Sequence, residues 1–341
     1  AIAYVVNTQL KKDKQLKALV KKGQFNEAAR ILGVRMIHVN DIDLQEVTER
    51  ALATTVEGMI DEDSFQRGAA AVVMKVGSGE VLALASYPTY DLSKFSENYE
   101  ALLSDERLPM FNRATDGTYA PGSTFKMTTL IAAMNNGIIN ADTLIQDMGI
   151  FTEHNFNRTC LLWSSARATH GEITATDAIR YSCNYFFYDL GNRLTWQQLN
   201  EVAKGLGLGE PTGIELAENI GTRSNPDTKA AEYAGTDQSA WVDGDKLQTV
   251  IGQGLNHFTP MQMASYTSAL ANEGVRYKAT LLSRVVSWDY QELLVENQPQ
   301  VASVLEMSDE AKLCIEEGML MAAESGIRID AWLTTVIPGL T

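Results

Sequence analysis

Basic residues are scarce in this chain. Lys and Arg number 28 against 43 Asp and Glu, a formal charge of −15 across 341 residues. That balance excludes a nucleic-acid grip: a duplex reader releases phosphate counterions with clustered cations, and here they bunch only near the amino-terminal end. Long apolar runs are missing too. The best candidate, AAAVVMKVGSGEVLALA, is broken by Lys75, Gly77, Ser78, Gly79 and Glu80, whereas a spanning helix needs about 18 to 20 uninterrupted residues. The chain opens on Ala1 with no charged-then-apolar signal pattern, which reads as a removed leader or an excised soluble part. Cysteine is down to Cys160, Cys183 and Cys314, an odd set without C-x-x-C or Cys/His zinc spacing, so the three read as small buried apolar residues. The four histidines, His38, His154, His170 and His257, lack the i, i+4 spacing of a helical metal site, and no repeat or low-complexity segment stands out.

What is present suits a globular protein. Hydrophobic content of 45% and charged content of 21% in a chain this long allow one large or two modest domains with a real core. Residues 1–34 differ in style, with Leu16, Leu19, Val20, Ile31 and Leu32 at near-helical spacing among lysines, and predict two short helices bent at Gly23 with a solvated lysine face. A main domain over 35–341 follows. VRMIHV predicts a strand, and Leu44, Val47, Leu52 and Val56 a helix. GAAAVVMKVGSGEVLALASYP predicts a buried hairpin turning at Gly77-Ser78-Gly79. Capping boxes mark helix starts at Thr174/Asp177, Thr195/Gln198 and Thr259/Gln262, the last with Pro260 at the first helical position, and Asn136-Gly137 and Glu273-Gly274 mark helix ends. Strand-like segments such as LLSRVVSW among helices point to an α/β chain of the α+β type, an antiparallel sheet flanked by helices.

The chemistry concentrates in FNRATDGTYAPGSTFKMTTLIAAMNNG. Pro121-Gly122 precede Ser123, which opens a helix, and Lys126 lies one turn along the same face, so its amine approaches the serine hydroxyl. A serine attacks poorly until something takes its proton, and a lysine takes one only when burial lowers its pKa. The helix amino terminus adds positive potential where an acyl oxygen turns negative. Ser-x-x-Lys alone is a weak signal. Its companion is Ser182-Cys183-Asn184, inside the apolar, aromatic run AIRYSCNYFFYDLG, where Ser182 can relay a proton between Lys126 and a departing amine and Asn184 can bond a substrate backbone. A second Ser-x-Asn, Ser96-Glu97-Asn98, lies in a polar stretch that reads as a loop. Trp163 and Tyr185-Phe186-Phe187-Tyr188 read as packing, and Asp116 and Glu172 take no catalytic role.

With those motifs in order, residues from about 35 to 325 resemble the transpeptidase domain of class B penicillin-binding proteins, relatives of the serine β-lactamases. NDIDLQ, GEVLALASYPTYD, NRATDGTYAPGSTFK, AIRYSCNYFFYDLG, GLGLGEPTGIEL and IGQGLNHFTPMQMASYTSALANEG each look like one of the family's blocks. The resemblance implies a D,D-transpeptidase outside the bacterial cell membrane, its anchor absent from this chain, acting on the D-alanyl-D-alanine end of a peptidoglycan stem peptide. Ser123 is the implied nucleophile, Lys126 its base, Ser182 the relay to the leaving D-alanine and Asn184 a substrate contact. β-Lactams are implied to trap Ser123, and a membrane glycosyltransferase of the cell-wall machinery is the further partner. No metal or organic cofactor is implied.

One departure from the family pattern stands out. The third motif, Lys-Thr-Gly or Lys-Ser-Gly on a strand lining the site, is not found; Lys75-Val76-Gly77 sits ahead of Ser123, and after MLMAAESG the chain runs IRIDAWLTTVIPGLT and stops. The expectation is an incomplete carboxyl-terminal part, with a degenerate homologue as the alternative. Without an oxyanion donor, the rate falls by about a hundredfold to a thousandfold. Two rival functions share the architecture: a serine β-lactamase or β-lactam sensor, for which no motif-placed carboxylate activates water, and a non-catalytic interaction module, which predicts no labelling of Ser123.

Overall fold

The computed structural model describes residues 34–59, 68–155, 157–287 and 289–324. The helices expected around Gly23 and the terminal run after Glu324 lie outside the described residues. In chain order come β1 (Val34–His38), α1 (Ile42–Gly58), β2 (Ala69–Met74), β3 (Val81–Tyr87), α2 (Phe95–Ser104) and α3 (Lys126–Asn135). Four short strands and three helices follow: β4 (Ile145–Asp147), β5 (Ile150–Phe151), β6 (Arg158–Thr159), α4 (Leu161–Ala166), β7 (Gly171–Ile173), α5 (Ala175–Arg180) and α6 (Asn184–Arg193). The remainder is α7 (Trp196–Gly205), α8 (Pro226–Glu232), α9 (Asp243–Thr249), α10 (Pro260–Ala271), β8 (Val275–Tyr277), β9 (Leu282–Ser287), β10 (Leu293–Glu296), β11 (Val301–Val304) and α11 (Asp309–Glu324). Every pairing between these strands is antiparallel, so helices with antiparallel sheet, as the sequence predicted, is what forms. No helix among the described residues is long and apolar enough to cross a membrane.

Two compact units emerge, one from the described residues of 1–118, 210–220 and 259–304, the other from those of 119–209, 221–258 and 305–341. In the first, β9 pairs with β1 and β10, and β2 with β3 in the register Ala69↔Tyr87 to Met74↔Val81. The hairpin is only half buried, against expectation: β3 buries Val81, Ala83 and Ala85 on one face, while β2 stays partly exposed throughout. Period-2 alternation decides this, since a strand covered on one side hides every second residue. Gly79, at φ +76°, takes the turn because a Cβ there would strike the Lys278 carbonyl. Val81 then packs on Ile214, Met261 and Ala279. Two acidic residues, one within GEPTGIEL and one just after it, staple this unit: Glu218 accepts from the Thr212 and Gly213 amides, and Glu215 from Leu281 N–H at 2.8 Å.

Local signals set most helix boundaries. Asp41 accepts from Leu44 N–H to start α1, and full capping boxes open α7 at Thr195 and α10 at Thr259. At Thr174 half a box forms: its hydroxyl accepts from the Asp177 amide at 3.4 Å, then donates to the Asp177 carboxylate at 3.3 Å, so the carboxylate does not reach back to the chain. Ser96-Glu97-Asn98, read as loop, lies inside α2, because Asp91 caps a short 3₁₀ turn that feeds directly into that helix.

The second unit is built around α3. Residues Lys126 to Met134 are all buried, and the helix contacts α6, α7 and α11. A helix hidden on every side tolerates polar residues only when each is satisfied. Thr129 meets that demand by donating to the Val250 carbonyl at 2.8 Å.

Candidate active site

Ser123 sits one step ahead of this buried helix. Sequence spacing placed it at a helix start; the structure puts it in a 3₁₀ turn, Gly122–Phe125, that runs into α3. Its segment is strapped in place from the other side. Tyr119 and Phe258 exchange two backbone hydrogen bonds of 2.9 Å each, and Gly122 N–H donates to the Gly252 carbonyl at 2.9 Å. Gly252 is at φ +73°, and a Cβ on it would collide with Gly122 backbone atoms. Backbone against backbone fixes the approach of these loops. The consequence is an exposed Ser123 beside a Lys126 only 2% exposed.

Lys126 Nζ makes three hydrogen bonds, to the Ser182 carbonyl at 2.7 Å, Ser182 Oγ at 2.9 Å and Asn184 Oδ1 at 2.7 Å. Ser182 Oγ in turn donates to Ser123 Oγ at 3.0 Å. The expected approach of amine to nucleophile is therefore bridged: the described connection between Lys126 and Ser123 passes through Ser182. All four sequence-predicted residues come together, and the competing Ser96 motif belongs to the other unit. Burial of the amine pushes its pKa from 10.5 down to about 8. The Phe187 ring lies 5.3 Å from Nζ, a face that tolerates the charged form of the amine.

The loop that carries Ser182 is under tension. Ser182 joins α5 to α6 in the left-handed region, φ +50°, uncommon for a side-chain-bearing residue. Next to it, Cys183 belongs to a cluster that local spacing did not reveal. Asp147, Cys160, His170 and Cys183 bring ligand atoms within 4.8 Å of one another. Asp147 accepts from Gly149 N–H at 2.8 Å and His170 N–H at 3.0 Å and lies 2.7 Å from His170 Nδ1, contacts that hold its carboxyl below the usual range against the cost of burial. The two sulfurs are 3.6 Å apart; the hydrogen bond between them holds the Cys160 thiol low and pushes the Cys183 thiol up. Two thiols, an imidazole and a carboxylate form a donor set that suits tetrahedral zinc. The four come from β4, the ends of α4 and β7, and the middle of the Ser-x-Asn triplet, so no short-range pattern marks them. The one visible signal was a cysteine in the middle of that triplet.

A solvent-facing serine joined through a second hydroxyl to a buried amine of lowered pKa is an arrangement with the parts that serine acyl transfer with lysine proton traffic requires. The model of the penicillin binding protein transpeptidase domain matches residues 69–332, and the chain belongs to that family. It is 30% identical over 266 residues to the peptidoglycan D,D-transpeptidase MrdA of Acinetobacter baumannii, covering 76% of this chain and 38% of that protein. Against MrdA of Haemophilus influenzae the identity is 35% over 214 residues, 60% of this chain and 32% of that protein. Among solved structures, a chain of a peptidoglycan synthase complex that coordinates polymerization and crosslinking superposes with a TM-score of 0.74 at 28% identity, covering 89% of this chain and 51% of that one. PBP2 of Pseudomonas aeruginosa gives 0.70 at 25% identity, over 86% of this chain and 62% of that one. The chain spans about a third of the length of the curated relatives it matches.

Proposed function

We propose that this chain carries the acyl-transfer centre of a peptidoglycan D,D-transpeptidase, with Ser123 as nucleophile, Lys126 as base, Ser182 as proton relay and Asn184 as a substrate contact. One observation carries the reading: the hydrogen-bonded path Ser123 Oγ, Ser182 Oγ, Lys126 Nζ, ending on an amine whose pKa is held near 8.

The steps follow from that path. With Nζ neutral, the Ser123 proton passes to Ser182 Oγ as the Ser182 proton passes to Lys126, and Ser123 Oγ adds to the carbonyl of the penultimate D-alanine. Collapse returns a proton from Lys126 through Ser182 to the departing D-alanine amine, leaving an ester on Ser123. The amine of a second stem peptide then adds to the ester, giving its proton back along the relay, and the new peptide bond frees Ser123. A β-lactam mimics the dipeptide and leaves an ester that no amine displaces. The names of the relatives, peptidoglycan D,D-transpeptidases, support the substrate class. That substrate lies outside the cytoplasmic membrane, and a membrane glycosyltransferase is the fitting partner; the solved synthase complex, described as coordinating polymerization with crosslinking, supports the pairing.

Intact-mass measurement of the full-length protein with benzylpenicillin tests the reading. One adduct per wild-type molecule, absent from Ser123→Ala and persisting for hours, is expected. No adduct on the wild type, or an equal adduct on Ser123→Ala, overturns it, and an adduct hydrolysed within seconds replaces it with a β-lactamase.

A further inference from the structure

The loop over residues 252–258, which straps the Ser123 turn, also borders a cleft. Its two ends are tied to the nucleophile segment, Gly252 by accepting from Gly122 N–H and Phe258 by its exchange with Tyr119. Between those ties, Gly254 and Leu255 line a cleft of about 200 Å³ that the proton path leaves untouched, with Lys229, Tyr233, Trp241, Asp245 and Gln248 among its walls. We propose that this cleft is a subsite for an N-acetylated sugar, with the acetamido group on the Lys229–Asp245 pair and the pyranose ring against Trp241; that the sugar belongs to a peptidoglycan strand rests on the function proposed above.

The ion pair sets the chemistry. Lys229 is only 9% exposed, and its Nζ donates to Asp245 Oδ2 at 2.5 Å. The same oxygen accepts from Val242 N–H at 2.8 Å, which fixes the carboxylate in the first turn of α9. An ammonium carries three N–H donors, and among the described residues Lys229 Nζ uses one of them; Asp245 Oδ1 accepts from no described group. Spare donors on a buried cation beside a spare acceptor on its carboxylate complement a secondary amide, whose C=O accepts and whose N–H donates. The pair is neutral as a whole. A guest carrying a full charge would meet one like charge there, so a neutral amide is favoured over a free carboxylate or a free amine.

The walls choose between amides. Tyr233 and Trp241 both line the cleft, and among the described residues neither ring stacks on another aromatic side chain, which leaves apolar ring surface for a guest. Gln248 adds a side-chain amide with no hydrogen-bond partner among the described residues, suited to a hydroxyl. A pyranose offers an apolar C–H face and a rim of hydroxyls to such a wall. An extended peptide would want a strand edge to pair with, whereas Lys229 comes from α8 and Asp245 and Gln248 from α9. At about 30 Å³ per water, the cleft has room for roughly seven waters, which suits one hexosamine.

Position gives the subsite a use. A sugar seated against Gly254 and Leu255 rests on the loop that straps Ser123, so a strand gripped there keeps its stem peptide on the nucleophile's own support. Binding energy from a remote part of a substrate then serves to orient the reacting carbonyl.

Saturation-transfer NMR and titration of the full-length protein test the cleft with the methyl glycoside of N-acetylglucosamine, methyl glucoside and the methylamide of N-acetylalanine. The first is expected to bind with a Kd of roughly millimolar order, and the other two at least about tenfold more weakly. Trp241→Ala and Asp245→Asn are each expected to weaken the acetylated sugar by at least about tenfold, in proteins whose melting temperatures show them folded. In the wild type, saturating sugar should slow hydrogen exchange over residues 226–249, a readout that needs no variant. Absence of both saturation transfer and slowed exchange overturns the proposal, as does undiminished sugar binding by folded Trp241→Ala. Tighter binding of the alanine amide overturns it too, and makes the cleft a peptide site. Should penicillin leave Ser123 unmodified while the acetylated sugar still binds here, the proposed function falls and the subsite stands.

Discussion

Ser182 holds the centre together, and its removal separates relay from scaffold. In Ser182→Ala the backbone carbonyl still accepts from Lys126, as does Asn184, so the fold survives while the hydroxyl bridge is lost. Acylation by penicillin is expected to fall by about a hundredfold to ten-thousandfold, with a melting temperature within a few degrees of wild type. Lys126 adds a pH signature. Its pKa near 8 leaves roughly one amine in ten neutral at pH 7, so stopped-flow acylation rates should climb about tenfold per pH unit and level off above pH 8. These residues were legible in the sequence because chemistry restricts them to particular side chains at particular spacings. The bridge was not, since whether an amine reaches a hydroxyl directly or through a third group depends on the φ of Ser182, which no residue type dictates.

Glycines set the element scale apart. Gly252 and Gly137 both have positive φ, +73° and +65°, yet only Gly252 faces a backbone where a Cβ would go; around Gly137 nothing lies within 4 Å. Gly137→Ala pays the conformational cost alone, about 1 kcal/mol by urea unfolding, and leaves acylation unchanged. Gly252→Ala must also push apart the Gly122 strap, so a loss of about 3 kcal/mol and at least tenfold slower acylation are expected. The Gly137 helix end was readable from Asn136-Gly137, because a left-handed terminus advertises itself locally; there Ile138 N–H closes on the Ala133 carbonyl at 2.9 Å. The strap was not readable. It joins positions 122 and 252, and long-range backbone pairing leaves no periodicity to find. The same reason hid the four donors around Cys183, and short-range polarity misplaced Ser96-Glu97-Asn98 as loop where Asp91 starts a helix.

For the whole molecule, the buried amine is a stability cost that depends on pH. In the fold Lys126 releases its proton near 8, and the unfolded chain holds it to about 10.5, so between those values the unfolded state binds more protons and stability rises with pH. Below pH 8 the penalty is present in full, and it fades as pH approaches 10.5. Other groups titrate in that range, so the informative quantity is a difference: the unfolding free energy of wild type minus that of Lys126→Met, by urea titration, should increase from pH 8 to 10.5 and stay flat from pH 6 to 7. A flat difference throughout would show that the amine is as wet as an ordinary lysine. At this scale the antiparallel, helix-flanked fold was evident from hairpin and capping signals, whereas the division into two interleaved units was not, because each gathers segments distant along the chain.

The exposed position of Ser123 ahead of a sealed helix has a bearing on cargo size. An enzyme whose wiring is indoors and whose hook hangs outdoors need not swallow what it catches. Under the acyl transfer proposed above, a polymer of any length can be snagged by one dangling tip, spliced and let go.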